Sequence, residues 1–188
     1  PHASSSAASD VYKRQEMDYL CASKSRNNYI KNLCVGLQGN TLCLFQYVEK
    51  HGKVLEELIR LKDPERKVFF VYGGVNADER EEIRAITEKS DSAIIVASYG
   101  TFSTGINIRN LHNIVFSSPS KSRIRNLQSI GRGLRLGDNK TNATLYDIAD
   151  DVSYGEKENY TLQHFRERIN IYNEESFDYE IHNVELKE

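Results

Sequence analysis

Short apolar runs alternate with amphipathic stretches along most of this chain. Thr41–Gln46 (TLCLFQ), Lys67–Tyr72 (KVFFVY), Ala93–Ser98 (AIIVAS), Asn113–Ser117 (NIVFS) and Ala143–Ile148 (ATLYDI) cluster β-branched, aromatic and leucine side chains, which is the composition of strands. The Ala93–Ser98 run carries no charge, as expected of a central parallel strand covered on both faces. Between these runs the spacing becomes helical. Leu20, Ile30, Leu33, Cys34 and Leu37 predict one helix over Glu16–Leu37, and a second helix runs towards Leu61. Asn76-x-x-Glu79 resembles a capping box for a third, ending near Ser90. A fourth carries Gln128–Arg135, and a fifth spans Tyr160–Tyr172. Gly39-Asn40, Pro64 and Gly73-Gly74 punctuate the elements. Strands alternating with helices predict an α/β fold with a parallel sheet joined by crossovers. Phe177–Leu186 (FDYEIHNVEL) alternates at first and predicts a further strand. Residues 1–15 are small and polar and are expected to be disordered, or non-native, since SSAASDVYKRQ also resembles translated adapter sequence.

Composition narrows the picture. The chain has 188 residues and 39% hydrophobic content, enough for one domain with appendages. A net charge of −2 gives no whole-molecule field of the kind that marks nucleic-acid binders. Basic charge is concentrated locally instead: Lys121, Arg123, Arg125, Arg132, Arg135 and Lys140 lie close together, with Asp138 as the one acid among them. Cys21, Cys34 and Cys43 lack metal-ligand spacing and read as reduced thiols. No apolar run is long enough to span a membrane and no signal peptide is visible, so the expected location is cytoplasmic.

The candidate chemistry sits in two places. Gln128, Arg132 and Arg135 share one face of a predicted helix, and Ile124, Leu127, Ile130 and Leu134 share another that can be buried. Such a helix aims two guanidinium forks outward together, a geometry suited to phosphate oxygens; an ordinary amphipathic helix with solvated arginines has the same pattern. Ser98-Tyr-Gly-Thr-Phe-Ser-Thr-Gly-Ile-Asn107 follows a predicted strand, and ligands of open α/β sheets gather outside the carboxyl ends of strands. Gly100 and Gly105 permit close backbone approach, and Ser98, Thr101, Ser103 and Thr104 offer short hydroxyls, although many strand-to-helix loops are rich in these residues. No G-x-x-x-x-G-K-[ST] phosphate loop occurs. Gly52-Lys53 lacks its context, and Asp78-Glu79 falls in the first turn of a helix, where acids complement the dipole. Asp147, Asp150 and Asp151 follow a strand and could gather Mg²⁺ in a phosphoesterase or nuclease. A passive nucleic-acid module is another reading.

Order and spacing bring these pieces together. The Gly-Gly turn after one strand, SYGTFSTGIN after the next and QSIGRGLR further on resemble the fourth, fifth and sixth motifs of superfamily-two helicases. From Asn40 to Asp151 the chain strongly resembles the second, C-terminal lobe of such DNA motors, and more loosely beyond. The resemblance implies a RecA-like parallel sheet flanked by helices over residues 16–151, then a helical and extended C-terminal tail over 152–188. It implies that Arg132 and Arg135 are arginine fingers on ATP, and that Gln128 and Gly131 shape their helix. Gly105 and Asn107 would lie beside the nucleotide, with the reservation that many relatives carry Asp where Asn107 stands. Gly73, Gly74, Ser98, Tyr99, Gly100 and Thr101 would follow the DNA backbone, while Lys121, Arg123 and Arg125 could hold DNA or form a solvated loop. ATP and Mg²⁺ would be held mainly by an N-terminal RecA-like lobe, leaving this portion inactive alone. Phage proteins of recombination and fork remodelling are the nearest in kind, and a translocase that never separates strands would carry the same motifs.

Overall fold

The computed structural model describes residues 3–105, 108–118 and 143–187. Five parallel strands form one sheet: β1 (Thr41–Phe45), β2 (Val68–Val71), β3 (Ile94–Ser98), β4 (Asn113–Phe116) and β5 (Thr144–Asp147), in the order β2-β3-β1-β4-β5. Each lies inside an apolar run of the sequence. The three inner strands are buried at every position, whereas β2 and β5, at the edges, are partly open.

Strand side chains alternate between two faces, and the register makes the alternation coherent. Leu42 is level with Ile95 and Ile114, and Cys43 with Val96 and Val115. One core therefore collects Leu42, Leu44, Ile95, Ala97, Ile114 and Phe116 against Ile83 of α4 (Ala77–Glu88) and Tyr172 of α6 (Tyr160–Glu174). The opposite core collects Cys43, Phe45, Ile94, Val96 and Val115 against Ile30 and Cys34 of α2 (Lys24–Gly36) and Leu55 and Ile59 of α3 (Lys53–Lys62). Apolar burial on both faces is the largest favourable contribution to folding here.

The single helix predicted over Glu16–Leu37 is two helices, α1 (Ala3–Ala22) and α2, broken at Ser23. Ser23 is extended, and its Oγ accepts from the Arg26 amide at 3.3 Å. Serine stabilises a helix start better than a helix middle, and the break redirects the chain so that Arg26 and Asn27 become buried. The first fifteen residues, expected to lack order, are helical from Ala3 onward. Residues 7–12 of that helix are exposed, and packing starts at Met17, Leu20 and Cys21.

The helix leading to Leu61 also differs, opening with one wide π turn, Val48–Gly52, before α3. Glycine is required at its end, since a Cβ on Gly52 would sit 2.6 Å from the Phe45 ring. Gly39 adopts φ +85° to deliver Asn40 into the core. There the Asn40 amide donates to Thr87, Ser90 and Asn110 carbonyls (2.7–3.0 Å) and accepts from Ala93 N at 2.8 Å. The strand predicted over Phe177–Leu186 does not form. Phe177 packs back towards Tyr172, but Tyr179, Ile181, Val184 and Leu186 are exposed and join no ladder with a described strand. Among the described residues no helix is long and apolar enough to cross a membrane.

Candidate functional site

Because every strand is parallel, their carboxyl ends share one edge of the sheet. On the β2–β3 side, Gly73 and Gly74 turn the chain after β2, closed by Val75 N donating to the Tyr72 carbonyl at 3.0 Å. Both glycines are exposed. Beside them, β3 runs directly into α5 (Tyr99–Gly105), so the predicted loop begins as a helical turn. Sheet order thus makes neighbours of Gly73-Gly74 and Ser98–Thr101, which lie far apart in sequence.

Their side chains play different parts. Ser98 Oγ lies 2.8 Å from Thr101 Oγ1 and accepts from the Thr101 amide at 3.4 Å, so these buried hydroxyls brace the strand-to-helix turn. The Tyr99 ring is 2% exposed, packed 5.6 Å from Phe116, and faces the core rather than solvent. Gly100 is exposed, with open space where a Cβ would stand. Backbone at Gly73, Gly74 and Gly100, not hydroxyl groups, is what this corner presents outward. Gly105 closes α5. Asn107, Gln128, Gly131, Arg132 and Arg135, together with Lys121, Arg123 and Arg125, lie outside the described residues.

The β4–β5 side carries a network that sequence reading missed. Arg26, 3% exposed, forks onto Asp150 through Nε (2.7 Å to Oδ1) and Nη2 (2.9 Å to Oδ2). The same Nη2 donates to the Ser117 carbonyl at 2.7 Å. His51 lies one step away, fully buried, with Nδ1 2.9 Å from Ser118 Oγ and Nε2 3.2 Å from Asn27 Oδ1. Asn27 Nδ2 donates to the Cys21 carbonyl, so Oδ1 must accept the His51 Nε2 proton and Nδ1 accepts from Ser118. Burial, and then the Arg26 charge, push the His51 pKa down to about 3 and keep the ring neutral.

The carboxylates that could have gathered Mg²⁺ are otherwise engaged. Asp147 is forked by Arg168 of α6 at 2.7 and 2.8 Å and accepts from Tyr172 Oη at 2.5 Å. Burial, then the Asp147 charge, raise the Tyr172 pKa, which holds the phenol protonated as donor. Asp150 is taken by Arg26, and Asp151 accepts from the Ser153 amide at 3.1 Å. Ion pairing within the lobe thus answers for these acids, and the metal-centre reading gives way to it; among the described residues no group of three potential metal ligands comes together. Glu16 is engaged in a similar way. Its carboxylate accepts from Tyr160 N, Thr161 N, Thr161 Oγ1 and Asn159 Nδ2 at 2.7–2.8 Å, capping α6. Burial raises its pKa, but bonds from Asn159, Thr161 and Tyr160 outweigh that and leave it lowered. The missed residues gave little signal: Arg26 stands in SKSRNN, which reads as a solvated helix face, and its partner is 124 positions away.

A parallel five-stranded sheet with its loops gathered at one edge is the RecA-like architecture of a helicase C-terminal lobe. Residues 25–137 match the helicase conserved C-terminal domain, and the chain belongs to that family. It is 36% identical over 186 residues to the ATP-dependent DNA helicase uvsW of Enterobacteria phage T4, covering 92% of this chain and 36% of that protein. The crystal structure of T4 UvsW superposes with a TM-score of 0.73 over 87% of this chain and 35% of that one. The C-terminal domain of the DEAD-box protein Dbp5, 14% identical, shares the fold with a TM-score of 0.59 over 81% of each chain. The chain spans about a third of the length of its curated relative.

Proposed function

We propose that this chain is the second motor lobe of an ATP-dependent DNA helicase or translocase acting in recombination or fork remodelling. The observation that carries the reading is the gathering, at one sheet edge, of the Gly73-Gly74 turn, the Ser98–Thr101 corner and both ends of the arginine-bearing segment. In this reading, ATP and Mg²⁺ are held mainly by a preceding RecA-like lobe, where ATP supplies the phosphoryl bond that is hydrolysed. Arg132 and Arg135 reach across the cleft to the phosphates, Gln128 and Gly131 shape their helix, and Gly105 and Asn107 flank the nucleotide. A guanidinium so placed offsets charge on the transferring phosphoryl group and is worth about 10³–10⁵ in rate. Backbone amides at Gly73, Gly74 and Gly100 follow the DNA phosphates, with Ser98, Tyr99 and Thr101 acting as their internal supports. This chain alone turns over no ATP.

The test uses full-length protein expressed from the complete reading frame. Arg132→Ala and Arg135→Ala are each expected to lower DNA-stimulated ATP turnover by about 10³ or more while DNA affinity stays nearly constant. Near-normal turnover in both variants removes the finger assignment. The upstream reading frame should also encode G-x-x-x-x-G-K-[ST] and a D-E-x-x box.

A further inference from the structure

The parallel ladder between β4 and β5 ends at Phe116 and Asp147. One further backbone bond, Ile148 N to the Phe116 carbonyl at 3.3 Å, continues it. Beyond that point the chain is irregular on both sides, and here it leaves for, and returns from, the segment 119–142. Arg26 begins where the ladder stops. One guanidinium holds the outgoing strand by the Ser117 carbonyl and the returning strand by both oxygens of Asp150.

We propose that Arg26 is a positioning residue for the arginine-bearing segment, setting the separation and angle of its two anchor points. The inference rests on the reading that this segment meets ATP. A second tie supports it. His51, fixed by Asn27, holds Ser118, so adjacent residues of the first turn of α2 restrain adjacent residues at the exit from β4. Energetics point the same way. Burying a charged pair costs several kcal/mol per ion, and well-packed apolar side chains hold a fold as well or better. What an apolar pair lacks is the directional constraint of a fork. Phosphoryl transfer, in turn, is sensitive to placement, with misplacement of about 1 Å costing on the order of 10²-fold.

The test compares Arg26→Lys and Asp150→Asn in the full-length protein, reading thermal unfolding, kcat and the KM for ATP. Lysine keeps the charge but not the fork; asparagine keeps the shape but not the charge. Each variant is expected to lose about tenfold or more in kcat, with the KM for ATP held within about twofold and folded protein at assay temperature. Turnover within about twofold of the parent in both folded variants overturns the proposal, as does a loss accounted for entirely by unfolding or by a raised KM. Arg132→Ala in the same preparation separates the two ideas. If it abolishes turnover while the Arg26 and Asp150 variants stay active, the positioning role fails and the motor reading stands. If it leaves turnover intact, the motor reading itself fails.

Discussion

Acidification loads a proton onto every accessible imidazole, but His51 has nowhere to accommodate one. Its Nδ1 receives the Ser118 hydroxyl, its Nε2 already donates to Asn27, and Arg26 stands nearby. The native ring therefore titrates near pH 3, against a reference of 6.5 in the unfolded chain. Between those limits the unfolded state binds the extra proton, so stability rises with pH and is lost as pH falls from 6.5. Each pH unit in the window is worth about 1.4 kcal/mol, and the site as a whole on the order of 5 kcal/mol. Carboxylates with lowered pKa act in the same direction but in a different range: Glu16 contributes only as pH falls below 4.5. The interval from pH 6.5 to 4.5 thus isolates the histidine. The assay is urea unfolding by circular dichroism at several pH values for the parent and His51→Gln. The variant should start roughly 1–3 kcal/mol less stable at neutral pH, having lost buried hydrogen bonds. The gap between the proteins should then close by about 1.4 kcal/mol per unit of acidification. Parallel stability curves across the interval would refute the assignment of a buried neutral ring.

Two further outcomes follow from buried polar groups. Arg168→Met strands the Asp147 carboxylate and is expected to destabilise the protein by about 3–5 kcal/mol, measured by chemical denaturation; adding Asp147→Leu should recover most of that loss. Asn40→Ala removes the partners of Ala93 N and of three carbonyls at the amino ends of the strands. It should cost roughly 2–4 kcal/mol without altering the charged network at the opposite edge.

The elements that sequence pattern made legible are those whose side chains repeat. Five apolar runs became five parallel strands within a residue or two of their expected limits, and the asparagine cap at Asn76 accepts from Glu79 N at 2.8 Å. Gly73, Gly74 and the Ser98–Thr101 corner were placed correctly at strand ends, but Tyr99 faces inward, because the chain turns helical at once and carries the ring onto Phe116. Arg26, His51, Arg168 and Glu16 stayed hidden for a different reason. Each is a polar residue in a polar stretch, made structural only by a partner brought close by the sheet, and no local period encodes such a pairing. The tail shows the converse error: alternation over Phe177–Leu186 is a pattern without a neighbour, and a strand needs an adjacent edge as well as a rhythm.

The grip of Glu16 on the start of α6 has a practical side. Trimming the polypeptide to the family's own limits, 25 and 137, would discard this carboxylate, the edge strand β5, both aspartates of the buried pairs and the helix roofing one face of the sheet. The unit that can be cut out and still hold its shape is therefore longer than the region kinship defines, and surgery on this lobe should leave Glu16 and Tyr172 inside its margins.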